Sequence, residues 1–275
     1  MKIDIDVLLD YILPSARDVL LQVEAAAMVD QRILDSVLTV TSPEPLRAVP
    51  GEEAIGQRTW AAGSGQFRVE YRASVEVERS DVKIGRLTAD RPADLPALVI
   101  AYLLPSRYCE SDRFEAFVER EFTDIRGGAK LMAMRDWIAR HLDYEAGTST
   151  SETTASDTFV RRAGVCRDYA HLLATLARAA TIPARLVSAY APGVDPPDFH
   201  ALVEVWLEGS WHLIDATGMA KTAEVVRVGV GRDATDIAFM TVFGAATLVE
   251  QRVTVTREQR APAGRSRNES NRSRS

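Results

Sequence analysis

The sequence predicts an α+β protein in two parts: an N-terminal antiparallel β domain, then a core in which one helix packs on an antiparallel sheet. Three stretches carry that expectation. Gln66-Phe-Arg-Val-Glu-Tyr-Arg-Ala-Ser-Val-Glu-Val-Glu78 alternates apolar and polar residues, so a strand there buries one face and wets the other. Between Arg162 and Ala180, apolar residues recur at Tyr169, Leu172, Leu173, Leu176, Ala177 and Ala180, the spacing of a helix packed along one stripe. His200–Leu207 and Ser210–Thr217 flank Glu208-Gly209, which suits a two-residue hairpin turn with glycine second.

The remaining elements follow in chain order. Met1–Asp10 carries three aspartates where a signal peptide needs a basic start and an unbroken apolar run. Leu20–Glu24 and Ser36–Thr41 read as strands, punctuated by Pro43, Pro45, Pro50, Gly51, Gly63 and Gly65. After Leu95-Pro96, Asp112 is placed to cap a short helix through Val118. Gly127-Gly128 breaks the chain and sets the expected boundary: residues 1–126 form the β-rich domain and 127–256 the second domain. From Ala129, Leu131, Met134, Ile138 and His141 or Leu142 share a helix face that ends before Gly147. A polar loop, Ser149–Ala155, and a short helix, Asp157–Arg162, lead to Gly164. Pro183 stops the next helix. Ala184–Tyr190 reads as a strand, Pro192–Asp198 as a rigid loop, and Glu224–Gly229 and Ala246–Val255 as further strands. From Arg257 the chain holds six arginines against two glutamates and no apolar period, so 257–275 is expected to be a disordered tail.

Composition narrows the function. The 275 residues are 46% hydrophobic and 26% charged, ordinary globular values. A net charge of −6 and a pI near 5.4 argue against nucleic acid as a partner. No run approaches the ~18 apolar residues that cross a bilayer, so no membrane partner is expected. Cys109 and Cys166 are too few for a disulfide framework or a multi-cysteine metal site, and the four histidines lack paired metal spacing. No metal or cofactor is expected, and the compartment reads as cytoplasmic. The sequence leaves the oligomeric state open.

Cys166 falls at the mouth of its helix, where unpaired N–H groups and the positive end of the dipole favour a thiolate. If Leu207 faces Ser210 across the hairpin, His200, Leu202, Glu204 and Trp206 share a face with Trp211, Leu213, Asp215 and Thr217. His200 and Asp215 are then diagonal neighbours with Cα atoms roughly 7–8 Å apart, close enough for a carboxylate to orient an imidazole. Nucleophile, base and orienting group are what a thiol needs to attack an amide. Each has a plainer reading: Cys166 as a small core hydrophobe, His200 as a satisfied strand histidine, Asp215 as a turn cap. Cys109 reads as structural. His171 projects from the polar side of the cysteine helix and His212 lies on the hairpin face opposite Asp215, so neither meets the carboxylate. Asp168 complements the helix dipole, and Trp137, Trp206 and Trp211 read as packing residues.

Gly164-Val-Cys-Arg-Asp-Tyr-Ala170, Phe199-His-Ala-Leu-Val-Glu-Val-Trp206 and Trp211-His-Leu-Ile-Asp-Ala-Thr217 resemble the three motifs of the bacterial transglutaminase-like superfamily, in its cysteine-peptidase branch. The core resemblance covers roughly residues 127–240. Less specifically, Tyr108-Cys-Glu-Ser-Asp112 and the β-rich start resemble the region that usually precedes it. The resemblance implies a papain-like core and acyl-enzyme chemistry on a protein or peptide amide, with Cys166 as nucleophile, His200 as base then acid, and Asp215 holding the ring. Hydrolysis is expected. Acyl transfer to an amine and a non-catalytic interaction module are the alternatives.

Overall fold

In the first ten residues Ile3, Ile5 and Val7 alternate with Asp4 and Asp6, and β1 (Lys2–Leu21) buries the apolar set while the aspartates face outward. The computed structural model describes residues 1–258; the expected tail beyond Glu258 lies outside the described residues. β2 (Gln31–Val40), β3 (Arg47–Pro50) and β4 (Gln57–Val77) complete the N-terminal ladder, all antiparallel. β1 and β4 pair along nearly their whole length, from Lys2 opposite Glu76 to Leu21 opposite Thr59. Pro14 falls where the register slips between Leu13 and Arg17, a place where a strand tolerates a residue without an N–H. Phe67, Val69, Tyr71 and Val75 are wholly buried along β4, each contributing about 1.5–3 kcal/mol of apolar burial.

The chain then turns helical. α1 (Ala97–Ile100) and α2 (Glu115–Glu121) precede α3 (Gly127–His141). Asp112 does not cap α2; it sits in a separate 3₁₀ turn, and Phe114 occupies the cap position. The expected break at Gly127-Gly128 is instead the start of α3. A Cβ on Gly128 would lie 1.7 Å from the Ile84 carbonyl oxygen, so the pair permits close packing on the 84–87 turn. The apolar cluster around α3 accordingly runs across residue 127. Ile84, Cys109, Phe114, Val118 and Phe122 belong to the same cluster as α3 and the helix that follows.

β5 (Asp143–Tyr144), α4 (Ala155–Arg161) and β6 (Ala163–Gly164) lead to α5 (Cys166–Ala179). β5 and β6 form a short parallel pair with Tyr144 opposite Gly164. α5 is buried on almost every side, not along one stripe: each residue from Asp168 to Arg178 is inaccessible. Arg178 is satisfied there by pairing, donating to the Ala184 carbonyl and the Ser106 hydroxyl. The helix packs against β7 (Ala184–Tyr190) and β8 (His200–Leu207), which with β9 (Ser210–Ile214) and β10 (Val226–Gly231) make an antiparallel sheet ordered β10-β7-β8-β9. The β8–β9 register is the expected one, Leu207 opposite Ser210, around Glu208 and Gly209 at φ 49° and 73°.

After α6 (Ala234–Ile237) the chain returns to the first sheet. β11 (Met240–Val242) and β12 (Thr247–Arg257) both pair with β1, so the N-terminal sheet is closed by C-terminal strands. Arg257, the expected first residue of the tail, is the last residue of β12.

A buried ion network joins the two sheets. Glu204 on β8, fully inaccessible, is held by Arg185 of β7 at 2.7 Å and Arg227 of β10 at 2.7 Å. Arg227 continues to Asp30, and Arg185 reaches Glu53 at 2.8 Å. The architecture is therefore α+β with antiparallel sheets, and the cysteine helix lies on the second sheet. Among the described residues no helix is long and apolar enough to cross a membrane.

Candidate active site

The cysteine is presented by a short relay of local contacts. Asp168 accepts the Val165 backbone N–H at 2.8 Å and the Ser149 hydroxyl, tying the helix mouth to the loop before α4. That carboxylate lies against Gly164: a Cβ there would fall 2.7 Å from the Asp168 Cβ, so only glycine lets the two segments meet. Asp168 thus does more than complement the dipole; it fixes the turn that carries Cys166. The sulfur is half-buried and 3.9 Å from the Phe199 carbonyl oxygen.

Phe199 stacks on Phe239 with ring centroids 4.2 Å apart, anchoring the start of β8, and His200 follows directly. The structure brings Cys166, His200 and Asp215 together. His200 Nε2 donates to Asp215 Oδ2 at 3.1 Å, and the ring lines the same cleft as the Cys166 sulfur. Since Nε2 is taken, Nδ1 is the nitrogen left for the thiol; it is buried and has no hydrogen-bond partner among the described residues. Burial opposes a charged ring, but the Asp215 hydrogen bond and the adjoining sulfur outweigh it and raise the imidazole to about 9.

Asp215 reaches the ring by a route other than the extrapolated ladder. β9 ends at Ile214, so residue 215 is not paired with residue 202. The carboxylate is instead fixed from below by Ala220 N–H at 2.7 Å, Thr217 N–H at 2.9 Å and the Thr217 hydroxyl at 2.8 Å. Burial pushes this acid up; the His200 contact and these donors overcome that and hold it below the usual carboxylate range.

The other candidates are placed elsewhere. His171 is fully buried rather than on an exposed polar side, because Tyr108 stacks on it at 5.1 Å and the Ala234 N–H donates to its Nε2 at 3.1 Å. Burial depresses it to about 3, so it stays neutral. His212 bonds the Leu207 carbonyl at 3.1 Å. Cys109 is inaccessible, its sulfur 3.6 Å from the His171 carbonyl oxygen, and burial pushes the thiol up. Trp137 packs among Phe117 and Phe159, and Trp206 meets Trp211 edge-on.

One residue at the site had no signal in the sequence. The β5–β6 pairing sets Tyr144 opposite Gly164, two residues before Cys166, and so brings its ring beside the cysteine. Burial and the neighbouring sulfur push its phenol up to about 12, so at neutral pH it keeps its proton. The thiol opens on a cleft of about 340 Å³ walled by Tyr108, Phe199, Ile237 and Phe239, with Arg167 and Asp198 also lining it.

Residues 115–216 match the model of the transglutaminase-like superfamily. A solved structure described as that of a "Putative Cysteine Protease" from Cytophaga hutchinsonii is similar over 98% of this chain and 95% of that one, with 33% identity and a TM-score of 0.87. An uncharacterized protein of Mycobacterium leprae is 27% identical over 218 residues, covering 76% of this chain and 68% of its own.

Proposed function

The chain belongs to the transglutaminase-like superfamily, and from that premise we propose that it is a cysteine-dependent amide hydrolase of the peptidase or isopeptidase type. The observation that carries the proposal is the imidazole held by the Asp215 carboxylate in the same cleft as the Cys166 sulfur. An imidazole raised to about 9 holds its proton at neutral pH and is ready to protonate the leaving nitrogen.

In this mechanism Cys166 Sγ attacks the amide carbonyl carbon and the carbonyl oxygen becomes an oxyanion. The Cys166 N–H donates to it, and the protonated Tyr144 phenol beside Cys166 is assigned as the second donor. Collapse breaks the C–N bond as His200 Nδ1 gives its proton to the departing nitrogen, leaving a thioester and a neutral ring. Water then attacks the thioester, Nδ1 takes the water's proton, and collapse releases the free acid and the thiolate. Asp215 keeps the second proton on Nε2 throughout, so the ring always turns Nδ1 to the reacting atoms.

Incubation with a peptide library, followed by mass analysis, tests the proposal. The account expects free-acid products that vanish in Cys166→Ala and His200→Ala variants, each still folded by circular dichroism. Turnover that persists in Cys166→Ala would overturn it. Adding a primary amine separates hydrolysis from acyl transfer, since conjugate in place of free acid assigns the latter.

A further inference from the structure

Besides the Cys166 thiol and the Tyr108 phenol, three ionisable side chains line the cleft: Arg167, Asp198 and His200. His200 is paired with Asp215. Arg167 faces the buried Asp168 at 3.5 Å and donates to the Thr150 carbonyl at 2.6 Å. Asp198 alone has no cation within ion-pair distance among the described residues. Its Oδ1 accepts from the Phe199 N–H at 2.7 Å and from Gln251 of β12 at 2.6 Å, which aims the carboxylate and leaves Oδ2 without a partner. The surrounding wall is apolar, with Tyr108, Phe199, Ile237 and Phe239. Asp198 lies at the exposed rim of the cleft, where partial burial raises its carboxyl against the lowering effect of the Phe199 and Gln251 donors.

We propose that the cleft takes a substrate bearing a cationic group, an alkylammonium or guanidinium, beside the reacting amide, and that Asp198 is the specificity-determining residue that receives it. The proposal rests on the amide chemistry described above. The apolar wall accepts the methylenes of such a side chain while the charged end pairs with Oδ2. β12 contributes the Gln251 bond that holds Asp198, so the N-terminal sheet shapes one rim of the cleft. An ion pair at a partly exposed rim is worth about twofold to fivefold in specificity.

Matched fluorogenic peptide amides carrying Lys or its uncharged isostere norleucine, at either residue flanking the scissile bond, provide the test. Wild type is expected to favour Lys in kcat/KM by about twofold to fivefold. The Lys-to-norleucine ratio should fall toward one in Asp198→Asn, and Asp198→Lys should favour a Glu peptide. A second arm compares 1,5-diaminopentane with pentylamine as acyl acceptors and tells whether the cation belongs to the donor or the acceptor. A third measures the affinity of the Cys166→Ala variant for the Lys and norleucine peptides by anisotropy, where no turnover is needed. Equal values within every pair for the unsubstituted cleft, or a preference that survives both Asp198 variants, overturn the assignment. Absence of turnover on all substrates counts instead against the amide chemistry, and the anisotropy arm then decides for or against Asp198.

Discussion

Replacing Asp215 by Asn removes the charge next to His200 with almost no change in shape. Asp215 receives only donors: His200 Nε2 and the Ala220 N–H on one oxygen, the Thr217 N–H and hydroxyl on the other. An amide offers one oxygen, so its NH₂ must face one of these pairs. Turned toward His200, it obliges Nε2 to accept and moves the ring proton to Nδ1, the nitrogen meant for the thiol. Turned toward Thr217, it opposes a backbone N–H, which costs about 1–3 kcal/mol. The ring stands at about 9 against an ordinary 6.5, which amounts to about 3 kcal/mol in favour of its charged form. Asp215 is the largest contributor to that rise. Because the ring is raised, its charged form persists below 9 and is lost above it, so kcat/KM of wild type should decline on an alkaline limb near pH 9. In Asp215→Asn that limb should move down by more than one pH unit and the plateau should drop by about 10²–10⁴. A pH–rate profile paired with an NMR titration of the His200 ring reads both. A limb that stays near pH 9 with activity within tenfold of wild type would refute the orienting role of Asp215.

Tyr144→Phe keeps the ring and deletes one oxyanion donor; kcat should fall about 10²-fold with KM little changed, measured by steady-state kinetics. Gly164→Ala drives a methyl into Asp168, 2.7 Å from its Cβ, and should cost about 1–3 kcal/mol in urea unfolding while also slowing turnover through the shifted helix mouth. Glu204→Ala leaves Arg185 and Arg227 buried without their shared carboxylate, which should cost about 3–5 kcal/mol in the same unfolding assay.

The local features were legible and the non-local ones were not. The β8–β9 register follows from two alternating runs and Glu208-Gly209, all within eighteen residues of chain. β7 likewise reads directly from Ala184 to Tyr190. β1 escaped because Leu8-Leu9 interrupts an alternation that Ile3, Ile5 and Val7 otherwise state clearly. The one-stripe reading of α5 failed at His171 and Arg178, whose partners Ala234 and Ala184 come from elements that periodicity within the helix cannot see. Gly127-Gly128 was misread because glycine marks close packing as readily as a break. Cys166 and His200 stood out through helix position and strand position, and Asp215 through the hairpin, although β9 ends before it. Tyr144 and Asp198 sit in a two-residue strand and a loop, so only the fold places them at the cleft.

Acid-quenched intact mass spectrometry during turnover of a slowly hydrolysed activated peptide ester tests the central claim most directly. The account predicts one acyl group on the protein, mapped to Cys166, released by hydroxylamine, and absent from Cys166→Ala. Steady product formation with no adduct on Cys166, or an adduct on another residue, would contradict it.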